Sequence, residues 1–428
     1  STQQETLFPY TTLFRSGLWS WALFDWAAQA FAMVQTFVFA AYFTRRIAAD
    51  ADAGATQWSL TIGAAGLVVA VLGPVLGARA DRSGRRKPWL ATFTGLSVAA
   101  TAAIVTLRPG TDSLVPALAL LALAVIGVQT ATVFYNAMLA DLAPRGRFGR
   151  WSGRGWALGY AGGVLCMGSV YLLFLAEDAL LPVPRERALQ VRASFPFVAA
   201  WILVFTLPLL RFTPDRRRRR PASGALGLRP ALRAVRAEPG LLRFLVGRAL
   251  YMDGLSTVFA VGGVYAAGTF AMDEREILLF GVALNLSAGV GALLFAPLDD
   301  RRGSRATILA SLTGLFVCAT ALLLVQQRTG LWVAGVLFGV FVGPVQSASR
   351  SWLSHVAPRP LRARLFGLYA LADRSTAFLG PLVVGVLTAA SGSQRVGLVI
   401  VPVLFALGLW ALHGVPEARA PAAQRGGV

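Results

Sequence analysis

From residue 18 to residue 413 the chain is a succession of apolar runs joined by short polar connectors. The runs cover 18–43, 57–79, 89–107, 114–140, 153–175, 194–212, 241–268, 276–298, 306–325, 331–353, 364–390 and 396–413. About 20 apolar residues in a helix cross a hydrocarbon core about 30 Å thick. In that medium each backbone polar group must be bonded inside a helix or a closed barrel. The runs are continuous rather than alternating, so a barrel is excluded and twelve transmembrane helices are predicted. Charged residues make up only 14% of the chain, where a soluble domain carries about 25%.

One polar stretch, "RFTPDRRRRRPASGALGLRPALRAVRAEPG", interrupts the succession after the sixth run. Its Arg, Pro and Gly content marks a linker over residues 213–240, within which "LRPALRAVRAE" has the pattern of a short surface helix. The expected layout is a six-helix bundle over 17–212, the linker, a second six-helix bundle over 241–413, and a tail over 414–428. The halves echo each other. A shift of 228 positions lays Asp25 on Asp253 and Phe31-Ala32 on Phe259-Ala260. "GARADRSGRRK" and "FAPLDDRRGSR" follow the second run of their respective halves. Parallel repeats of this kind relate the halves of many secondary transporters.

The net charge is +20. Of the 40 Arg and Lys residues, 28 fall on connections 2–3, 4–5, 6–7, 8–9, 10–11 and the tail, and 9 on the opposite connections. This asymmetry sets topology, with both termini cytoplasmic. The arginines at 216–220 then anchor the chain at the membrane surface, and no nucleic-acid partner is expected. The bilayer itself is the first partner, and the chain is expected to act as a monomer.

Residues 6–16, "TLFPYTTLFRS", precede the first run. Leu7, Phe8, Leu13 and Phe14 fit neither a helical stripe nor strand alternation, and Pro9 interrupts them. The eleven residues read as the translation of a common sequencing-library adapter. Residues 1–16 are therefore expected to be a leader without function.

Enzyme chemistry finds little support. Cys166 and Cys318 lie inside apolar runs, and His355 and His413 lie far apart near run ends. Lys87 is the sole lysine, which excludes a P-loop lysine and a Schiff base. No metal or cofactor is expected.

The loop at residues 77–87 carries the clearest motif. Gly77 permits close helix contact, and Asp81 can accept bonds from the start of a neighbouring helix. Gly84 permits a sharp turn, while Arg82, Arg85, Arg86 and Lys87 hold the loop at the cytoplasmic side. The second copy keeps Asp300, Arg301, Gly303 and Arg305 but has Ala296 in place of the glycine. Asp141, ending the fourth run, is an acidic partner for such an arginine.

This loop resembles the signature G-x-x-x-D-R-x-G-R-R-K of the major facilitator superfamily, with every position filled. "WSWALFDWAAQAFAMVQTFVFAAYF", "FYNAMLADLAPRGRFGRWSGRGWALGYAGG", "GPVQSASRSWLSHVAP" and "FGLYALADRSTAFLGPLVVG" resemble segments of its vacuole-effluxer-like branch. The resemblance spans Gly17 to about Gly414. It implies an all-α fold of twelve helices in two pseudo-symmetric bundles, and a latch role for Asp81 and Arg85 in the outward-facing state. It also implies transport of amino acids, in a bacterial inner membrane on the evidence of an Arg- and Ala-rich composition.

Polar groups buried in hydrocarbon mark a pathway, because charge there is costly and rarely idle. Asp25, Gln29, Gln35, Tyr135, Asn136, Tyr160, Arg248, Asp253, Asn285, Gln346, Asp373 and Arg374 are the candidates. Acidic and basic groups together suit a zwitterion, with its carboxylate on arginine and its ammonium on aspartate. Asp25 and Asp253 are the proton candidates, Asp25 favoured because Arg248 stands ready to neutralise Asp253. The rival readings are a multidrug exporter, which needs a more apolar cavity, and a membrane sensor or scaffold that transports nothing.

Overall fold

The computed structural model describes residues 8–417 except Arg145, residues 216–232, Ala234 and Phe378. For residues 8–15, Ala51, Asp52, Glu274, Arg374 and Ser375 it describes the backbone alone. The linker's arginine run at 216–220 and most of its expected surface helix lie outside the described residues, as does the tail beyond Glu417. Among the described residues the structure is helical, without strands.

Among the described residues eleven helices are long and apolar enough to cross a membrane. They are α1 (Ser16–Arg46), α2 (Ala53–Ser83), α3 (Lys87–Thr106), α4 (Thr111–Leu142), α5 (Phe148–Leu175) and α6 (Glu186–Phe212). After the linker come α7 (Leu241–Phe270), α8 (Arg275–Arg302), α9 (Ser304–Leu324), α10 (Arg328–Val356) and, last, α13 (Gln394–His413). The expected run 364–390 is two shorter helices, α11 (Arg362–Ser375) and α12 (Leu379–Ser391). Proline explains the break. Pro381 falls in the first turn of α12, where its missing N–H costs nothing, whereas in mid-helix it would remove a bond.

The segment ahead of α1 is helical from Phe8. Pro9 lies within that helix and does not interrupt it. Within α1, residues Gln35–Phe39 widen to a π-helical turn.

α1 packs on α5 and α6, α3 on α4 and α6, and α2 on α4. α8 and α9 pack on α10, and α7 and α9 on α13. Two contacts chiefly join the first six helices to the later ones, α2 with α11 and α5 with α8. The interior is aromatic, with Trp21, Tyr135, Phe244, Tyr251 and Trp352 fully buried. Val71, Leu294 and Trp410 face outward and exposed, an apolar exterior suited to lipid rather than water.

Candidate functional site: a polar cavity above two carboxylate latches

At the basic end two carboxylates cap helix starts. Asp81, near the end of α2, accepts the backbone N–H groups of Ala363 and Arg364, each at 3.1 Å. Asp300, near the end of α8, accepts those of Gly149 at 2.9 Å and Arg150 at 3.3 Å. In both cases the donors are the second and third residues of the capped helix, α11 or α5. Unpaired N–H groups and the helix dipole make such starts attractive to anions. A Cβ on Gly77 would lie 2.6 Å from the Ala363 carbonyl, so glycine is what lets α2 reach α11. Gly84 ends α2 at φ 70°, a left-handed turn that favours glycine, and Gly303 (φ 95°) separates α8 from α9.

Arg86, not Arg85, is the arginine beside Asp81. Arg85 is exposed, whereas Arg86 is buried. Arg86 donates to the Ala137 carbonyl at 2.7 Å and lies 3.7 Å from Asp81. It also pairs with Asp141, which pairs in turn with Arg362 at the start of α11. The cause is local. Asp215 holds the backbone N–H groups of Arg86 and Lys87 at 3.0 and 3.1 Å, turning the Arg86 side chain inward and leaving Arg85 outside. Arg82 is half-buried and Arg301 exposed. Arg305 donates to the His413 carbonyl at 2.5 Å, tying α9 to the end of α13 rather than joining a latch.

Between the helices lies a cavity of about 450 Å³. Of the expected residues, Asp25, Gln29, Gln35, Asn136, Arg248, Gln346 and Asp373 line it. So does Arg350, which the sequence reading did not single out. Arg350 projects from α10 and is 2% exposed. It donates to Asp25 at 2.9 Å, Asn136 at 3.2 Å, the Ser152 hydroxyl at 2.9 Å and the Ser152 carbonyl at 2.7 Å. Trp21, Tyr135 and Trp156 surround its guanidinium at 5.0–5.7 Å. These bonds join α10 to α1, α4 and α5. A second pair lies in the same wall. Arg248 meets Asp373 at 2.6 and 2.8 Å and stacks 3.5 Å over the Tyr369 ring.

Tyr135 and Tyr160 stand behind the wall. The Tyr135 hydroxyl donates to Asp25 at 2.7 Å, and the Tyr160 hydroxyl accepts from Gln346 at 3.0 Å. Asp253 is away from the cavity, 1% exposed, and accepts the Gly380 N–H at 3.1 Å where α12 begins. Arg248 does not neutralise it, because residues five apart on a helix point about 140° from each other. Asn285 bonds the Gly281 carbonyl of its own helix at 2.8 Å and does not line the cavity. The Arg374 side chain lies outside the described residues.

A readable signal for Arg350 existed. The run Gln346, Ser347, Ser349, Arg350, Ser351 is polar yet lies inside α10 and is buried throughout. Counting Arg350 as a topology-setting charge of the next connection concealed it.

Helices in this arrangement make the fold of solved members of the major facilitator superfamily. A superfamily transporter, FucP, in the outward conformation superposes with TM-score 0.74 at 13% identity, over 94% of this chain and 97% of that one. The human organic anion transporter MFSD10 gives 0.72 at 14% identity, over 93% and 99%. Residues 56–425 match the family described as vacuole effluxer Atg22 like, and the chain belongs to that family. An uncharacterized MFS-type transporter, YxiO, of Bacillus subtilis (strain 168) is 26% identical over 408 residues, covering 93% of this chain and 94% of its own. Autophagy-related protein 22 of Cryptococcus neoformans var. neoformans serotype D (strain JEC21) is 24% identical over 299 residues, covering 63% and 51%. The chain thus spans about half the length of the fungal relatives it matches. YxiO, FucP and MFSD10 are each described as transporters.

Proposed function

We propose that the protein is a twelve-helix secondary transporter that moves a small polar metabolite, an amino acid by preference, by alternating access. In this reading α11 and α12 together make one crossing, and residues 17–212 and 241–413 form two six-helix bundles that rock about the cavity. The basic end is cytoplasmic, in a bacterial inner membrane. The two latches then hold the cytoplasmic side closed, and Asp81, Arg86, Asp141 and Asp300 act as gating residues.

The cavity wall carries this proposal. It holds two arginines and two aspartates in one space of about 450 Å³. A cargo carboxylate can compete with Asp25 for Arg350, or with Asp373 for Arg248, and a cargo ammonium can compete from the other side. A site for hydrophobic compounds would have no use for four desolvated charges. Family membership adds support, since the family is named for vacuolar efflux. Proton coupling, if present, is assigned to Asp253 rather than Asp25. Asp25 has a cation at 2.9 Å, whereas the partner of Asp253 is a backbone N–H.

The test is counterflow of labelled amino acids in proteoliposomes, followed by accumulation driven by a pH gradient. Exchange of at least one amino acid, lost in Arg350→Gln and Arg248→Gln, is expected. Exchange of none, with apolar drugs moved instead, would replace this reading by the multidrug one. Asp253→Asn should spare counterflow and abolish gradient-driven accumulation. Accumulation that survives it removes Asp253 from coupling.

A further inference from the structure

Arg86, Arg248 and Arg350 each have a carboxylate partner. Arg154 does not. It lies six residues into α5, about 9 Å from the helix start at 1.5 Å per residue, and no carboxylate pairs with it among the described residues. Its guanidinium instead rests on two indoles, 4.8 Å from the centre of Trp151 and 5.5 Å from that of Trp19. The two rings meet edge to face at 5.3 Å. Stacking uses the face of the guanidinium and leaves its in-plane N–H donors available.

Those donors border a cavity of about 710 Å³ at the basic end, distinct from the cargo cavity. Trp19, Arg147, Arg150, Trp151 and Arg154 line it. Asp141 lines it too, but Arg86 and Arg362 already engage that carboxylate. Arg150 is occupied with Asp300 at 3.3 Å. Arg147 is exposed at the mouth and Arg154 is half-buried deeper in. A cation this far into a span calls for an anion, and among the described residues no carboxylate pairs with it.

We propose that this cavity binds the headgroup of an anionic phospholipid from the leaflet at the basic end, its phosphate on the Arg154 guanidinium and Arg147 at the mouth. Two features favour a lipid over a soluble phosphate. Trp19 is 49% exposed, beside arginines at the level where tryptophan meets the headgroup region. Above Arg154 on the same face of α5, at spacings of four, seven and eleven, stand Leu158, Ala161 and Leu165. Leu165 is 53% exposed, so an acyl chain has an apolar track to follow.

The test uses the purified full chain in detergent, with phosphatidylglycerol, phosphatidylcholine or inorganic phosphate added separately. Native mass spectrometry reads lipid retention, and thermal unfolding reads stabilisation. Wild type should retain phosphatidylglycerol in preference to phosphatidylcholine. Arg154→Gln should weaken phosphatidylglycerol retention about tenfold, as losing a charge-assisted bidentate contact would, and leave phosphatidylcholine unaffected. Arg154→Lys keeps the charge without the planar fork and should fall between. Arg211→Gln, exposed at the same end, should match wild type. Unchanged phosphatidylglycerol preference in Arg154→Gln, or in Arg154→Lys should the first variant not fold, overturns the proposal. So does stabilisation by millimolar inorganic phosphate equal to that by phosphatidylglycerol, which would make the occupant a soluble anion. None of these readouts depends on transport, so they stand apart from the identity of the cargo.

Discussion

Asp81, capping α11 from α2, and Asp300, capping α5 from α8, make the same pair of backbone bonds, yet their surroundings are not copies. At the first latch the small residue belongs to the capping helix, Gly77 on α2, and it faces Ala363. At the second it belongs to the capped helix, since a Cβ on Gly153 of α5 would lie 2.8 Å from that of Ala296 on α8. The first latch is reinforced by Arg86 and by Asp141, which reaches from α4 to Arg362. Among the described residues the second has an ion pair with Arg150 alone, whose side chain is 40% exposed and on the helix that Asp300 already caps. A repeat therefore preserves the bond between carboxylate and helix start, while the charges around it decide how strongly each latch holds. The first should dominate.

The largest effect should come from steric failure at the first latch. Gly77→Leu forces a side chain into the Ala363 backbone, and backbone cannot yield as a flexible side chain can. The basic end should then fail to close. Cysteine labelling from that end should become nearly complete, and transport should fall to background. Labelling like wild type would show that α2 and α11 have room to separate without opening the path. Next in size is Asp81→Asn. The amide keeps one acceptor, turns its N–H₂ toward the other N–H donor and removes the charge that faces Arg86, at a cost of about 2 kcal/mol. That shifts the closed-to-open ratio about thirtyfold. Weakened cargo binding with unchanged accessibility would count against a latch.

Much of this was legible beforehand, and the residues that were not have physical reasons. Long apolar runs are a one-dimensional signal, so eleven spans appear where they were expected. That Asp81 can accept bonds from a helix start was legible because a loop motif fixes position along the chain. Side-chain direction was harder. Arg86 rather than Arg85 turns inward because Asp215, far away in sequence, holds the start of α3. Asp25 and Asp253 align under the repeat, but one faces Arg350 and the other the start of α12. Internal symmetry conveys where a backbone runs, not which partner a later helix brings. The break between α11 and α12 was signalled by Pro381, although its apolar surroundings read as one continuous run.

Asp300→Asn sharpens the comparison from the other side. The two donors lose their carboxylate, and Arg150, half-exposed, can turn to water. The loss should be about 1 kcal/mol, a shift of about fivefold in accessibility. If it equals or exceeds that of Asp81→Asn, the ranking of the latches is wrong and the contact between α5 and α8 controls closure.

The smallest effect is expected at Asp141, and it separates the shared part of the latch from the added part. Its side chain is 45% exposed, so its pairs with Arg86 and Arg362 are screened by solvent and worth less than about 1 kcal/mol. Asp141→Asn leaves the bonds of Asp81 to α11 in place but removes the negative charge between two arginines. Closure should weaken two- to threefold at low ionic strength. The difference from wild type should vanish near 1 M salt, where the screening length is about 3 Å. Asp81→Asn should lose far less of its effect in salt, because its carboxylate is 2% exposed and bonded to backbone. A salt-independent defect in Asp141→Asn, as large as that of Asp81→Asn, would mean that the exposed ion pairs rather than the buried helix cap hold the first latch shut.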